Sequence, residues 1–593
     1  MTTTTSTRRG GSWLVDPSDT TDLFTPERLS DEHRLIARTA DEFVTNEVLP
    51  NLDQLEEKDW KLARRLVQRA GELGLLGVDA PEAYGGVALD KAASLVVSDH
   101  IARSASFGAA YGGQVNLAIL PICLFGTEEQ KQRYLPQLVT GELIGAYALS
   151  ESGSGSDALG AKTRAIRQPD GSFALTGEKM WITNGGFADV FIVFAKVDGE
   201  HFTAFIVERA FAGVSNGKEE HKMGLHGSST TPIILQEAKV PAANVLGEIG
   251  KGHKVAFNVL NFGRFKLGAM CAGGAKVAIG QAALYAAGRR QFGQPIANFG
   301  AIKHKLGEMV TRTYAIESLV YRTAGMIDQW IGRSTSGSHE STVLAALEEF
   351  AIEASIAKVG GSEALDYVLD ENIQIHGGNG FVRDYPAERQ YRDSRVNRIF
   401  EGTNEINRLL IPGMLVRRAL KGDLPIIAAA RQLQDEILSG PGALESGGDA
   451  LLDRERRAIA SFKKIALMVL GTAMQTYGEK LTDQQEVLTC AADILIDTYA
   501  SESALLRAVA AAEQAVPGAA LQADAATVYV NDAAGRIELT ARNGLAAMAD
   551  GDMLRTLLAA LRRVLKVTPV NTVALRRKLA EEATARGSYP FNG

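Results

Sequence analysis

From Ser30 onward the residues Leu35, Ile36, Ala40, Phe43, Val44 and Val48 recur at helical spacing. Ser30 stands ready as an N-cap and Pro50 as a stop, so the pattern predicts an amphipathic helix between them. Helical periodicity continues to Val139, and Thr127-Glu128-Glu129-Gln130 has the spacing of a capping box. After about Ala148 the period shortens. Phe173 to Leu175, Val190 to Phe194, Phe202 to Val207 and Ile233 to Leu235 are β-rich runs separated by Gly, Asp and Asn turns, which predicts a compact β domain. From Gly252 to Val416 long helical patterns return, for example Ala301 to Trp330 and Ser341 to Gly377, and these predict a bundle. Breakers cluster at Pro412-Gly413, from Lys421 to Pro425, from Ser439 to Gly442 and at Gly447-Gly448, and a boundary is expected there. From Leu451 to about Arg586 Ala- and Leu-rich stretches predict an appended helical domain. The expected organisation is therefore a disordered start over 1–28, helices over 29–147, a β domain over 148–251, a helical bundle over 252–416, and a linker with a C-terminal helical domain over 417–593.

Composition narrows the function class. A chain of 593 residues that is 46% hydrophobic can build several sizeable cores. Its net charge of -7 comes from 63 basic and 70 acidic residues without a long like-charge block, which argues for small ligands over nucleic acid as the main partner. Cys123, Cys271 and Cys490 are far apart and odd in number, so neither a disulfide framework nor a zinc site is indicated, no metal is expected, and a reducing cytoplasm fits. The start, MTTTTSTRRGGSW, has no apolar core of a signal sequence, and no run of roughly 18 uninterrupted apolar residues predicts an integral membrane segment.

Five segments can carry chemistry, each with a plainer reading beside it. Arg398-Ile399-Phe400-Glu401-Gly402-Thr403-Asn404-Glu405-Ile406 sets one carboxylate between an apolar pair and a glycine. Burial there would raise the pKa of Glu401 and make it a stronger base, while Gly402 would let a ligand approach the backbone. Tyr147 to Ala158, rich in Gly and Ser, could expose N–H groups to a flat or anionic ligand or be a solvated loop. It matches the spacing of a dinucleotide fingerprint, but the turn at Pro169-Asp170-Gly171 leaves too little room for a crossover helix. Trp181 and Thr183 fall on one face of an expected strand ending in an Asn184-Gly185 turn, where they could pack and hydrogen-bond a ring system or simply join a core. Arg289 to Ile296 offers cations suited to a pyrophosphate, or a solvated helix end. Gln374-Ile375-His376-Gly377-Gly378 ends a helix with glycines, as a ligand-facing loop or an ordinary stop.

In order and spacing these five segments resemble the acyl-CoA dehydrogenase family over essentially Leu29 to Val416. Phe400 to Ile406 and the helical extension are most similar to its very-long-chain branch and that branch's bacterial relatives. The resemblance implies a mainly α fold with a central β-barrel domain, FAD held between barrel, bundle and a neighbouring subunit, and α,β-dehydrogenation of an acyl-CoA. It implies that Tyr147, Leu149, Ser150 and Ser156, with Trp181, Ile182 and Thr183, hold the flavin ring region. Arg289, Gln291, Phe292, Phe299, Gln374, Ile375, Gly377 and Gly378 would reach FAD across the subunit interface, and Thr403, Asn404 and Glu405 would meet it beside the base. Ser156, Asn261, Arg264 and Gly402 would face the acyl-CoA.

By the same resemblance Glu401 takes the α-proton and the flavin the β-hydride, with the thioester oxygen held by a ribityl hydroxyl and the glutamate's own N–H. Electrons pass to an electron-transfer flavoprotein in fatty-acid β-oxidation. An isovaleryl-specific relative carries its base at the position matching Gly263, which glycine cannot supply. Ser150 and Ser152 stand where the family has Thr and Pro around Glu151, a departure that bears on loop rigidity. Small residues at Gly112, Gly113 and Ala118 would leave depth for a long acyl chain. The region from Ser439 to Arg457 lacks the basic amphipathic character of the mammalian membrane-reaching segment. The extension points to a homodimer, with a homotetramer as the alternative. Two other readings are an acyl-CoA oxidase, sharing fold, flavin and base, and a non-catalytic relative acting as a binding protein.

Overall fold

A computed structural model describes residues 8–335, 337–438 and 450–591. Helix α1 (Asp31–Phe43) starts where its pattern predicts, because Ser30 accepts from the His33 N–H and His33 reaches back to the Ser30 N–H. It is followed by α2 (Lys91–Ile101), α3 (Ala105–Gln114) and the helix Glu128–Val139, whose Thr127 and Gln130 form the expected capping box.

The β region contains β1 (Gly145–Ala148), β2 (Arg164–Arg167), β3 (Phe173–Thr183), β4 (Val190–Val197), β5 (His201–Glu208), β6 (Val214–Asn216), β7 (Thr230–Val240) and β8 (Val245–Leu246). Their order is β6-β7-β3-β2-β4-β5-β8, with β1 parallel to the first half of β4 and β2 parallel to its end. The expected barrel is not closed. The sheet ends on β6 and β8, which span three and two residues and do not pair with each other.

The bundle follows as α4 (Gly252–Gly288), α5 (Gly300–Arg333), α6 (Ala351–His376) and α7 (Asn404–Lys421). The run from Ser341 to Gly377 is two helices rather than one, parted at Phe350 between His339–Glu349 and α6. Pro412 does not break the chain: it sits inside α7, which ends at Gly422 in the left-handed region, so position 416 lies within a helix and 147 within β1. Beyond lie α8 (Asp453–Tyr477), α9 (Gln485–Glu513), α10 (Ala519–Met548) and α11 (Thr572–Arg586).

Two large cores organise the described residues, beside a small third cluster of Leu23, Leu506 and Ala510. One joins the N-terminal helices to the sheet, and the other runs continuously through bundle and extension. The extension is thus packed on the bundle as one apolar body, as Leu-, Ile- and Ala-rich helices require when their faces must leave water. The stretch expected to be disordered is likewise drawn in over residues 8–28. Trp13 and Leu14 are buried, the Trp13 ring packs tilted by 45° against Tyr499 of α9 with centroids 4.9 Å apart, and its indole N–H donates to Glu353 at 3.0 Å. Two helical stretches, Ala105–Phe125 and Gly252–Gly288, are long and apolar enough to cross a membrane, but both are mostly covered by protein. Of the segment from Ser439 to Arg457, residues 439–449 lie outside the described residues.

Candidate active site

Glu401 lies in the turn between the short 3-10 helix Arg395–Arg398 and α7. Glu401 and Gly402 have φ of 56° and 76°, two left-handed residues in succession, and the first carries a side chain that disfavours this region. Such a turn persists only where its surroundings hold it. Here Thr403 caps α7 by accepting from the Ile406 N–H at 3.2 Å. Arg264 Nε donates to Glu401 O at 3.0 Å, and Asn407 Nδ2 donates to Gly402 O at 2.9 Å and Thr403 O at 3.0 Å. Lys358 Nζ donates to Gly402 O at 2.8 Å and to Asn404 Oδ1 at 2.6 Å.

Among the described residues Glu401 Oε2 is buried and accepts no hydrogen bond. A Cβ at Gly263 would stand 2.6 Å from it, so the α4 backbone comes this close to the acid only because position 263 is glycine. Burial is the largest influence on Glu401 and pushes its pKa up to about 7, against the pull of Arg264 and Lys358. The Tyr147 hydroxyl is also buried without a partner among the described residues, and burial followed by the negative charge of Glu401 holds its pKa well above the usual phenol value.

Glu401 lines a cavity of about 400 Å³. Its walls include Gly108, Gly112, Gly113 and Leu117 on one side, Gly263, Leu267 and Met270 of α4 on another, and Leu365, Thr183 and Phe400. Of the three small residues expected to give it depth, Gly112 and Gly113 are on the wall. Ala118 is not; it is buried against Gly145 at the start of β1, because the chain winds on through a π-helical turn after α3.

The loop from Tyr147 to Ala158 is firmly braced. Glu151 accepts from the N–H groups of Lys162 and Thr163, the Thr163 hydroxyl and, at 2.7 Å, the buried ammonium of Lys179. Glu151 and Ser154 also bond each other through their backbones, so serines at 150 and 152 do not leave the loop slack. Ser156 is exposed at the far side of this loop.

On β3 a bulge between Lys179 and Ile182 gives Trp181 a φ of 58° and leaves it 57% exposed, with Ile182 in the core and Thr183 on the cavity wall. Trp181 and Thr183 therefore do not follow the simple alternation of an unbroken strand. The expected Asn184-Gly185 turn forms where β3 ends, with the Gly185 N–H donating to Ile182 O at 3.0 Å, and it does not lead into a hairpin, since β3 pairs with β2 and β7 and not with β4. Asn184 instead donates from Nδ2 to Ala110 O at 3.0 Å and Gly145 O at 3.2 Å, which ties the sheet to α3.

None of the remaining expected residues is on the wall of the Glu401 cavity, although Arg264, Asn404 and Glu405 belong to the turn that carries the acid or bond to it. Arg289, Gln291 and Phe292 are exposed around the hairpin β9 (Arg290–Gln291) and β10 (Gln294–Pro295), with Phe292 93% exposed and edge-on to Phe299 at 6.0 Å. Gln374, Gly377 and Gly378 are exposed at the end of α6, while Ile375 is buried in the bundle core and can offer only its backbone. Arg264 is buried and spends its guanidinium on Glu401 O and, at 3.1 Å, Asn261 Oδ1. Asn404 is also buried, and Glu405 is exposed. Sequence reading missed Glu151 as the brace of the loop, although it stands inside a motif already singled out. It missed Lys358 and Asn407 outright, because nothing beside them in the chain marks them.

Comparison with known proteins comes to the same segments. Models of the acyl-CoA dehydrogenase N-terminal, middle and C-terminal domains match residues 30–142, 146–238 and 250–414, and a further acyl-CoA dehydrogenase C-terminal domain matches 461–563. The chain is 48% identical over 577 residues to a probable acyl-CoA dehydrogenase of Bacillus subtilis (strain 168), covering 97% of each. It is 35% identical over 525 residues to the human mitochondrial very long-chain specific acyl-CoA dehydrogenase, covering 84% of this chain and 76% of that one. A crystal structure of an acyl-CoA dehydrogenase complexed with FAD from Bacillus anthracis superposes with a TM-score of 0.96 at 48% identity, covering 98% of this chain and all of that one (100%).

Proposed function

The chain belongs to the acyl-CoA dehydrogenase family and is an FAD-dependent acyl-CoA dehydrogenase, and we propose that it acts on long-chain acyl-CoA with Glu401 as the catalytic base. The observation that carries the choice of base is the buried Glu401 Oε2, without a hydrogen-bond partner among the described residues, beside Gly263 on the cavity wall.

The residues fit the cofactor. Trp181 presents an exposed indole next to Thr183, and Gly377 and Gly378 have open space where a side chain would stand. Tyr147 to Ser156 and Trp181 to Thr183 would hold the ring region, with Arg289, Gln291, Phe292, Phe299 and the end of α6 reaching it from a second subunit. When bound, FAD supplies the acceptor for the β-hydride.

Glu401 takes the α-proton. A thioester α-proton is so weakly acidic that even a base lifted to about 7 needs help, which the Glu401 N–H would give by donating to the thioester oxygen as negative charge grows there. The glycines at 112 and 113 support a long acyl chain. The product is a trans-2-enoyl-CoA, and the reading extends to an electron-transfer flavoprotein as acceptor, a role in fatty-acid β-oxidation, a homodimer and a cytoplasmic setting. Anaerobic titration with acyl-CoAs of graded length tests it: long esters should bleach the flavin, and bleaching confined to butyryl- or isovaleryl-CoA would refute the chain-length preference. Rapid peroxide formation in air without another acceptor would favour the oxidase reading.

A further inference from the structure

Two cations surround Glu401, and neither hydrogen-bonds its carboxylate. Arg264 turns to Glu401 O, and Lys358 turns to Gly402 O and Asn404 Oδ1. Lys358 is fully buried in α6, a rare place for a lysine, and it forms no ion pair among the described residues. An ammonium taken out of water without a carboxylate partner is expensive, and an apolar side chain of similar length would fill the same volume without that penalty. What Lys358 does hold is the turn itself. Its two acceptors lie immediately after Glu401, on either side of the cap residue Thr403. Asn404 is anchored in turn, donating to Ser362 Oγ at 3.1 Å and to Glu363 Oε1 at 3.0 Å, while Arg408 fixes Glu363 from below with bonds of 2.7 and 2.8 Å.

We propose that Lys358 is a positioning residue for the base: its ammonium clamps Gly402 O and Asn404, keeps the left-handed turn closed so that the Glu401 carboxylate stays over Gly263, and places positive charge beside that carboxylate without pairing with it. The inference rests on the reading of Glu401 as the base. An ion pair would neutralise the base, whereas a cation spent on the neighbouring carbonyl stabilises the ionised acid and leaves its oxygens free for a proton. The charged and titratable groups facing Lys358 are Cys271 and Arg264 from α4, Glu401 in the turn and Glu405 on α7. Burial brings Lys358 down to about 8, so the clamp is charged at neutral pH and loses its proton as the solution turns mildly alkaline.

The test is the rate of flavin bleaching by saturating long-chain acyl-CoA, followed anaerobically against pH in the wild-type holoenzyme, Lys358→Met and Lys358→Arg. In Lys358→Met the rate at neutral pH should fall roughly tenfold or more, because the base is both loosened and harder to ionise. Its acid limb should move to higher pH by about one unit. Lys358→Arg keeps a charge that does not titrate in this range, so it should retain most of the rate and lose the wild-type decline on the alkaline side. A Lys358→Met profile that superposes on the wild type after simple scaling overturns the proposal. So does an Arg variant that keeps the same alkaline limb or is as slow as Met, and this arm decides the matter if the Met variant fails to fold. Glu401→Gln is run alongside: if it bleaches normally, the assignment of the base has failed rather than the role of Lys358.

Discussion

A carboxylate that must pull a proton from carbon needs an unengaged oxygen, and at Glu401 burial provides one and sets its basicity together. The rate of flavin bleaching should therefore rise with pH through about 7, where Glu401 ionises. Glu401→Gln should bind FAD, stay yellow and fail to bleach, as an absorbance titration would record. Stability carries the same signature. The folded value lies above the ordinary 4.5, so the contribution of Glu401 is full below about pH 4.5 and is lost as pH rises through 7. On going from about pH 5 to about pH 8, Glu401→Gln should gain on the order of 2–3 kcal/mol relative to wild type, measured by urea unfolding. Gly263→Ala should keep the fold yet bleach at least tenfold more slowly, since its methyl would meet the carboxylate at 2.6 Å.

Elements meet at the site through bonds that cross between them. The loop after β1 is held to β3 by the buried Glu151–Lys179 pair, at 2.7 Å, in which Lys179 has no water to fall back on. Lys179→Met should cost about 3–5 kcal/mol by leaving Glu151 buried and unbalanced. The expected result is a lower melting temperature and release of FAD from the purified enzyme, followed by flavin fluorescence. At this scale the chain was partly legible. Ser30 and Thr127 announce their helices because a cap acts on N–H groups a few residues away. The bulge at Trp181 and the uninterrupted helix through Pro412 were hidden, because strand pairing and packing decide them and local preference does not.

Across the whole molecule, residues 8–28 tie the bundle to the extension. Trp13 bridges Glu353 and Tyr499, and Arg507 of α9 reaches both Glu27 at 2.7 Å and Glu317 at 2.6 Å. Trp13→Ala should destabilise by about 3–5 kcal/mol, and removal of the first 28 residues should make the extension the earliest site of limited proteolysis. Light scattering showing a tetramer would count against the proposed homodimer. The arm shows where reading a sequence stops: its Thr- and Arg-rich start has the look of a tail, and only the groove between distant helices makes Trp13 a core residue. By itself the sequence determined the succession of helical and β regions, the family and the identity of Glu401 as the acid to watch, because periodicity and short motifs are written in adjacent residues. Only the tertiary structure decided that Lys358, Arg264 and Asn407 hold the turn of that acid, that the sheet stays open, and that the extension shares the core of the bundle. Those depend on which residues far apart in the chain come within hydrogen-bonding reach, and on how much water is excluded between them.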